Sequence, residues 1–416
     1  MNSIPGRKML GINGLGRIGK LTLWYQLYNK YFNGFVVNVG REIGDSLEDI
    51  IHVIETDSTY GPIEKFLFGI QSKKDIKIID REAKQLEIFG KPVKLLCQAR
   101  NPKDIRWREN GVEVVVDTTG VFCDPVSDED YPKGNLRGHL AAGAKIVINS
   151  APFKIKGNKK TESEDFITLI YGINHTAFNP SLNKVVSAAS CTTTALAHMV
   201  KPLLEKEETS NILTASLSTI HAATNSQKVL DSVPATRTSD LRKNRMAFNN
   251  IILSTTGAAA TLEKVIPEIS RVGFMADSIR IPIDTVSLIN LNLTFHACID
   301  KKGEPVINRE FLNNIYREVS VGAQKDLLLF SENQNVSSDI KGKIAAVVIE
   351  GHDTHTRTGF IDLKPAMLLK SGIKNIDELS IPVAHTALFG WYDNEFGSYV
   401  NCLGKLTMYI DKQLNG

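Results

Sequence analysis

The chain has 416 residues, of which 42% are hydrophobic and 23% charged, and its net charge is +3 at pH 7. These values are ordinary for a globular protein of two or three domains, and so small a charge gives no argument for a nucleic-acid partner. No run of about 18 apolar residues predicts a membrane span, and the first ten residues lack the layout of a signal peptide. Five scattered cysteines without metal-ligand spacing favour a reducing compartment, so we expect a cytoplasmic protein that binds no metal.

The first thirty residues carry the pattern of a dinucleotide-binding unit. Lys8–Asn13 predicts a strand, Gly14–Gly19 follows as G-x-G-x-x-G, and an apolar-periodic helix begins directly after it. Glycines at these places allow a tight turn and let a pyrophosphate approach the helix N-terminus. The pattern therefore predicts a dinucleotide site; the alternative is a structural turn, because glycine-rich turns are common.

The residue that would choose between NAD and NADP is missing from its expected place. The second strand, Gly34–Val39, should end in an acid that holds the adenosine ribose hydroxyls, but Val39 stands there. Glu42 or Asp45 would supply the carboxylate instead, whereas Arg41 would pair with a 2′-phosphate. The remaining alternative is that all three are solvated loop charges. The predicted cofactor is therefore NAD or NADP.

Strands and helices continue to alternate as far as residue 150. This alternation predicts an α/β domain with a doubly wound, mainly parallel sheet of the Rossmann type. Such sheets bind ligands at the carboxyl ends of their strands, where Gly14, Thr119 and Ser150 lie. We therefore expect a dinucleotide-binding domain over residues 1–190.

The second half of the chain has a different pattern. Residues 213–220 and 287–295 are long strands of alternating apolar and polar residues, and residues 257–269 predict a helix. We expect an α+β catalytic domain over residues 191–391, with a mixed or antiparallel sheet. A helix at 392–416 is expected to return to the first domain.

Cys191 lies where a strand turns into a helix. A short apolar run, 184–186, precedes it, and residues 195–204 have helical periodicity. The neighbouring Ser190 and Thr192 are residue types that start helices. A thiol in a first helical turn feels the positive end of the helix dipole, which favours the reactive thiolate. The alternative is a small buried core cysteine.

A thiol nucleophile needs a base, and His221 follows Cys191 by 30 residues, at the end of a predicted strand. Spacing alone does not bring the two side chains together. The alternative is a histidine of the surface or the core.

Six motifs of this chain resemble, in order and at nearly the same separations, those of phosphorylating glyceraldehyde-3-phosphate dehydrogenases. The resemblance runs from Lys8 to the C-terminal helix, although the chain is an atypical, longer form. The motifs are Gly11–Gly19, Ser190–Thr193, His221–Gln227, Thr255–Ala259, Ile279–Pro282 and Trp391–Gly397.

The resemblance implies a reaction and its catalytic residues. The Cys191 thiolate would attack the aldehyde of glyceraldehyde 3-phosphate, and His221 would lower the thiol pKa and take the hydroxyl proton. Hydride transfer to NAD or NADP and attack by inorganic phosphate would give 1,3-bisphosphoglycerate, a step of glycolysis or gluconeogenesis.

The resemblance also implies two groups of binding residues. Asn394 would hydrogen-bond the nicotinamide carboxamide. Two anion sites would hold the phosphate of the substrate and the attacking phosphate. The expected cofactor residues are Asn13, Gly14, Gly16, Arg17, Ile18, Arg41, Thr119, Gly120, Ser150 and Asn394. The expected phosphate residues are Thr224 and Arg280 at one site, and Ser190, Thr192, Arg245, Thr256 and Gly257 at the other.

The chain departs from the pattern of that family in several places. Val39 replaces the usual aspartate, Thr194 the usual asparagine, Ala195 a frequent cysteine, and Ser398 comes before the tyrosine that usually follows Asn-Glu-Phe-Gly. The additional length is expected in surface loop insertions. These lie around Asp124–Arg137, Lys154–Asp165, Lys341–Gly351 and Leu369–Leu388.

Two other functions stay open at this point. A related enzyme of another sugar phosphate, such as erythrose 4-phosphate, would use the same anion residues. A non-catalytic dinucleotide-binding interaction protein would share the fold, since fold does not fix function, but it would be expected to lose the thiol, the histidine or the anion residues. The resemblance implies a homotetramer, in which the loop Ala222–Arg245 would lie against the cofactor site of a neighbour.

Overall fold

The computed structural model describes residues 8–97, 99–128, 130–155, 164–225, 227–236, 240–370 and 379–415. The chain divides into two compact units. The first contains Met1–Cys191 and Glu395–Gly416, and the second contains Thr192–Asn394. In the described part of the chain, no helix is long and apolar enough to cross a membrane.

The elements of the first unit follow the alternation predicted from the sequence. Its helices and strands are β1 (Met9–Asn13), α1 (Arg17–Asn29), β2 (Gly34–Asn38), α2 (Leu47–Glu55), β3 (Thr56–Asp57), β4 (Gly61–Pro62), α3 (Ile63–Phe68), β5 (Ile76–Asp80), β6 (Gln85–Ile88), β7 (Lys91–Leu96), β8 (Val112–Asp117), α4 (Arg137–Ala141), β9 (Ile146–Asn149), β10 (Phe166–Thr168) and β11 (Val185–Ser187).

These strands form a nine-stranded sheet within the described residues, in the order β10-β11-β9-β8-β1-β2-β7-β6-β5. The strands from β10 to β7 are parallel, and β6 and β5 extend the sheet as an antiparallel edge. One face of the sheet packs against the apolar side of α1, with Leu10, Trp24 and Leu403 fully buried. The other face carries smaller clusters around Trp107 and Leu136. Apolar cover on both faces is the doubly wound arrangement predicted from the sequence, which is thereby confirmed.

The second unit carries the elements α5 (Cys191–Leu204, of which Cys191 belongs to the first unit), α6 (Glu207–Ser210), β12 (Ile212–His221), β13 (Ile252–Thr255), α7 (Ala258–Val265), β14 (Gly273–Arg280), β15 (Ser287–His296), α8 (Arg309–Val321), β16 (Leu328–Ser331), α9 (Ser337–Ile340), β17 (Val347–Glu350), β18 (His355–Leu363), α10 (Pro365–Lys370) and β19 (Leu379–Tyr392). Its sheet has the order β13-β14-β12-β15-β19-β17-β16, and β18 pairs with β19. β12 is parallel to β14 and antiparallel to β15, so the predicted mixed sheet is confirmed.

Two expectations about single helices are wrong. The last helix does not begin at residue 392, because Tyr392 ends β19; a π-helical turn, Phe396–Val400, precedes α11 (Asn401–Asn415). The helix expected over 257–269 ends at Val265, because a proline follows at 267 and cannot continue it.

The supposed loop insertions are also partly regular structure. The segment Lys341–Gly351 contains β17, whose four residues are all buried in the sheet because they are apolar up to Glu350. The segment Leu369–Leu388 contains the first ten residues of β19. Most of Lys154–Asp165 lies outside the described residues.

Candidate active site

The glycine-rich turn between β1 and α1 leaves room for a ligand at the start of the helix. Gly14 has a φ of +98°, a conformation that favours glycine. A Cβ atom on Gly19 would collide with the carbonyl oxygen of Gly14, so the helix lies directly against the turn. Gly16 has no heavy atom within 4 Å of the place where its Cβ would be. This cradle fits the pyrophosphate of a dinucleotide, which would accept hydrogen bonds from the first N–H groups of α1, those of Arg17 and Ile18 included.

The side chain of Arg17 is paired with two carboxylates of the first unit. Its guanidinium forms ion pairs with Asp57 and Glu395, and its Nε lies 3.0 Å from Glu395 Oε1. Although burial opposes ionisation of Asp57, hydrogen bonds from Arg17 and Lys20 hold the pKa of Asp57 well below its usual range. The guanidinium is thus engaged by two carboxylates of the first unit.

The turn after β2 is where the adenosine ribose is expected. Arg41 is exposed there, and Arg100 donates from Nε to the carbonyl oxygen of Gly40 at 3.3 Å. Both carboxylate oxygens of Glu42 accept from Lys84, at 2.7 and 2.8 Å. Of the two carboxylates proposed to replace the aspartate, that of Glu42 is therefore paired with a lysine. The backbone N–H of Asp45 donates to Asp49 Oδ2 at 2.8 Å.

The other expected cofactor residues of the first unit lie at the carboxyl ends of its strands. Asn13 is buried at the end of β1, and Thr119 and Gly120 follow β8. Ser150 follows β9 and donates its backbone N–H to the carbonyl of Asp117 at 2.9 Å. Such strand ends are where ligands bind in sheets of this kind.

A strained turn precedes Cys191. Ala189 has a φ of +56°, in the left-handed region that costs a residue with a Cβ about 1 kcal/mol. The turn is fixed by hydrogen bonds from the Ala189 N–H to Ser187 Oγ at 3.1 Å and from Tyr399 to the Ala189 carbonyl at 3.2 Å. It directs the chain into α5, whose first residue is Cys191, partly exposed and not in a disulfide. The thiol therefore occupies the first turn of a 14-residue helix, as expected from the sequence.

His221 is the last residue of β12 and is buried. Burial lowers the pKa of its imidazole to about 3, and the charge of Arg280 adds to the lowering. Its Nδ1 lies 2.8 Å from the carbonyl oxygen of Ala222, which can only accept. Nδ1 therefore carries the proton in the neutral ring, and Nε2 presents the lone pair of a base.

Tyr392 connects the start of α5 to the end of β12. Its hydroxyl lies 2.9 Å from Thr192 Oγ1 and 2.8 Å from Thr219 Oγ1, and all three side chains are buried. The ring of His221 packs edge-on against the ring of Tyr392, with centroids 6.1 Å apart. The residue that follows Cys191 and the candidate base His221 are therefore both in contact with one tyrosine.

Asn394 is connected to the same region through Ser287. The Ser287 hydroxyl accepts from the Ala222 N–H at 3.1 Å and donates to Asn394 Oδ1 at 3.1 Å. The orientation of the amide is thereby set, with Oδ1 toward Ser287 and the amide nitrogen available as the donor for a carboxamide oxygen.

Arg280 lies beside His221, and Thr224 follows His221 by three residues in the chain. β12 and β14 pair in register so that His221 is opposite Arg280, and Arg280 Nη1 donates to the Ala222 carbonyl at 3.3 Å. Thr224 lies in the loop after β12, and its backbone N–H donates to Gln227 Oε1 at 3.1 Å. A positive charge and a hydroxyl next to a buried imidazole can hold a phosphate group.

The residues expected at the second anion site are more dispersed. Thr192 uses its hydroxyl with Tyr392, and Arg245 pairs with Asp231 at 3.0 Å in an exposed loop. β13 pairs with β14 so that Ile252, not Thr255, is opposite Arg280. Thr255 is opposite Asp277, three residues or about 10 Å along β14 from Arg280, and Thr256 and Gly257 follow it in the chain. Ser190 immediately precedes α5.

Tyr392 and Ser287 belong to this site but were not predicted from the sequence. Tyr392 stood inside a motif that resembled a family, but nothing local indicated that its hydroxyl would reach Thr192. Ser287 begins a strand of alternating polarity, and its place on the buried face of that strand was the only sequence signal for a role in the site.

The first unit has a glycine turn of the kind that binds a dinucleotide, and the second has a buried histidine at the end of β12. Together with a cysteine at the start of a helix, these features are typical of nicotinamide-dependent oxidoreductases with a thiol nucleophile. Comparison with known proteins supports this class. The NAD-binding domain of glyceraldehyde 3-phosphate dehydrogenases matches residues 8–125, and their C-terminal domain matches residues 190–362. The chain therefore belongs to the glyceraldehyde 3-phosphate dehydrogenase family, and NAD or NADP is its cofactor. The resemblance predicted from the motifs is confirmed.

Bacterial relatives match nearly the whole chain. A glyceraldehyde-3-phosphate dehydrogenase of Borreliella burgdorferi is 32% identical over 393 residues, which cover 93% of this chain and 95% of the relative. One of Streptomyces coelicolor is 30% identical over 405 residues, 97% of this chain and 99% of the relative. One of Priestia megaterium is 30% identical over 401 residues, with 96% and 97% coverage.

Proposed function

We propose that the chain oxidises glyceraldehyde 3-phosphate and phosphorylates the product to 1,3-bisphosphoglycerate, with Cys191 as the nucleophile. The observation that carries the proposal is the contact of Tyr392 with both Thr192, next to Cys191, and His221. This contact fixes the start of α5 relative to the end of β12, which carries the base.

Each chemical step has a residue suited to it. The Cys191 thiolate, favoured by the positive end of α5, adds to the aldehyde carbon and forms a thiohemiacetal. Nε2 of the neutral His221 takes the proton of the hydroxyl as the carbon loses its hydride. The bound nicotinamide supplies the hydride acceptor. Inorganic phosphate then attacks the thioester at Cys191, and the acyl phosphate leaves as the thiolate is restored.

The binding residues divide between the cofactor and the phosphates. The cradle of Gly14, Gly16 and Ile18 holds the pyrophosphate, and Asn394 donates to the carboxamide. Arg280 and Thr224 hold the phosphate of the substrate; Arg280 is paired with His221, and Thr224 lies three residues after it in the chain. Thr256 and Gly257 directly precede α7. Together with Ser190, Thr192 and Arg245, they are proposed for the attacking phosphate.

The proposed assembly is a homotetramer that works in the cytoplasm. In support, none of the five cysteines, all of which lie within the described residues, forms a disulfide, as expected in a reducing compartment. The region of β13, β14 and the preceding loop in the second unit exposes Val233, Phe248, Ile251, Leu253 and Met275, each by more than half of its surface. So many large apolar side chains at one edge of a sheet are expected to be covered by a second copy of the chain. Leu253→Lys should lower the sedimentation coefficient if this edge lies in the interface.

The proposed reaction is tested by initial rates with glyceraldehyde 3-phosphate and NAD or NADP, with and without inorganic phosphate. Cys191→Ser should abolish the reduction of the cofactor, and His221→Gln should lower kcat by roughly 10²–10⁴-fold. Cys298→Ser, which removes an exposed thiol of the second unit, is the matched control and should keep full activity.

Three results would contradict the proposal: an active Cys191→Ser variant, a reaction that does not need phosphate, or faster turnover of erythrose 4-phosphate. The last would reassign the substrate to a longer sugar phosphate and leave the roles of Cys191 and His221 in place.

A further inference from the structure

A row of buried polar side chains crosses the parallel sheet at its carboxyl edge. Asn38, Asn13 and Asp117 end the adjacent strands β2, β1 and β8 and are paired in register. Asn38 Nδ2 donates to Asn13 Oδ1 at 2.8 Å, and Asn13 Nδ2 donates to Asp117 Oδ2 at 2.8 Å. These three side chains are at most 3% exposed. The row therefore lies directly beneath the edge at which the dinucleotide is expected.

Asp117 is the acceptor on which the row depends. Besides Asn13, its carboxyl group accepts from His139 Nε2 at 3.0 Å, from the Thr119 N–H at 3.0 Å and from Thr119 Oγ1 at 2.6 Å. Asp117 and His139 are both fully buried. Because every neighbour donates, the two carboxyl oxygens act as acceptors only.

The tautomer of His139 is fixed by a hydrogen bond from Trp107. Trp107 Nε1, which can only donate, lies 2.9 Å from His139 Nδ1. Nδ1 must therefore accept, so the proton of the neutral ring is on Nε2 and points at Asp117. The tryptophan and the histidine thereby hold the carboxyl group in one orientation.

The orientation of Asp117 determines how side chains are held toward both ends of the expected dinucleotide site. An acceptor at Asp117 requires the amide nitrogen of Asn13 to face it, which leaves Asn13 Oδ1 for Asn38. Asn38 Nδ2 also donates to the Ala99 carbonyl at 3.0 Å, and the adjacent Arg100 bonds to the Gly40 turn. On the other side, Asp117 holds both the backbone and the hydroxyl of Thr119.

We infer that Asp117, oriented by His139 and Trp107, is a positioning residue that aligns the two ends of the dinucleotide site. The inference rests on the proposed function of the first unit as the cofactor site. Asp117 itself does not contact the cofactor. It acts through Asn13 and Thr119, whose side chains it orients. Loss of its acceptor character should weaken binding of the dinucleotide and leave the chemistry at Cys191 in place.

The test compares two buried carboxylates of the first unit. In Asp117→Asn, one oxygen becomes a donor that faces the donors of Asn13, His139 or Thr119. The matched control is Asp411→Asn, because Asp411 is also buried and accepts from Tyr31 at 2.8 Å but is bonded to Lys8 and Tyr31 rather than to the carboxyl edge. Binding of NAD is measured by quenching of tryptophan fluorescence, and KM and kcat by initial rates.

We expect Asp117→Asn to raise both the Kd and the KM of the dinucleotide about tenfold, with kcat within about twofold of the wild type. Asp411→Asn should lower the melting temperature but leave the Kd unchanged. Equal Kd values for the two variants, or a fall in kcat without a change in Kd, would overturn the inference.

A second pair of variants keeps the inference testable if Asp117→Asn does not fold. His139→Gln retains an amide nitrogen that can donate to Asp117, whereas His139→Leu of similar size cannot. The Kd should stay near the wild-type value in the first and rise in the second; equal values in two folded variants would contradict the positioning role. A wild-type protein that binds neither NAD nor NADP would instead contradict the proposed function itself.

Discussion

The hydroxyl groups of Thr192 and Tyr392 lie 2.9 Å apart, although 200 positions separate the two residues in the chain. Tyr392→Phe removes this hydrogen bond and the one to Thr219, and it leaves two buried threonine hydroxyls without their partner. We expect the free energy of unfolding to fall by about 1–3 kcal/mol, and kcat to fall more than KM rises, because the start of α5 loses its connection to β12. Denaturant unfolding and initial rates measure the two effects.

A second buried tyrosine provides the control for this variant. Tyr316 is fully buried and donates to the Met199 carbonyl, also in α5, at 2.8 Å. Tyr316→Phe should cost similar stability and leave kcat unchanged. If both variants lowered kcat equally, the effect would be one of general stability and the specific role of Tyr392 would be wrong.

The low pKa of His221 predicts how stability depends on pH. Its pKa is about 3 in the folded chain and near 6.5 when unfolded, so the unfolded chain binds the proton more tightly. The neutral form therefore stabilises the fold fully above pH 6.5, and this contribution declines as the pH falls toward 3. We expect a loss of about 1.4 kcal/mol for each pH unit below 6.5, which His221→Gln should remove. Unfolding by urea between pH 7.5 and 4.5 measures it; identical slopes for both proteins would contradict the prediction.

Arg17 is predicted to act mainly in stability. Arg17→Ala leaves the buried Asp57 with Lys20 as its cationic partner and removes the ion pair with Glu395. We expect a loss of roughly 1–3 kcal/mol, whereas Arg17→Lys should lose less because it keeps the charge. Thermal unfolding and the Kd of NAD separate the two roles. Unchanged stability with weaker binding of NAD would mean that the guanidinium contacts the cofactor.

The choice between NAD and NADP is predicted to depend on residue 39. Val39 offers no acceptor to the ribose hydroxyls, and Lys84 holds the Glu42 carboxylate. Val39→Asp should therefore raise the ratio of kcat/KM for NAD to that for NADP by about tenfold or more. Val39→Asn, of the same size but uncharged, is the control and should change the ratio less. An equal ratio in both variants would place the determinant elsewhere in the turn.

Much of the fold was predictable because its signals are local. The G-x-G-x-x-G turn, the apolar runs of the parallel strands and the start of α5 at Cys191 each depend on neighbours in sequence. The end of β19 at Tyr392 and the strand β17 were not predicted, since both depend on pairing with distant strands. The same holds for the site: Cys191 and His221 could be proposed singly, but the bridge through Tyr392 spans 200 and 173 positions.

The row of buried polar side chains at the carboxyl edge of the parallel sheet has a consequence for the order of folding. Asn13 bonds to Asn38 across 25 positions but to Asp117 across 104, so the row is complete only after β8 has joined β1. Closing so long a loop is slow compared with pairing neighbouring strands. A refolding chain should thus regain its helical circular dichroism signal before it can bind NAD. The delay before NAD binding returns would measure how long the central sheet takes to close.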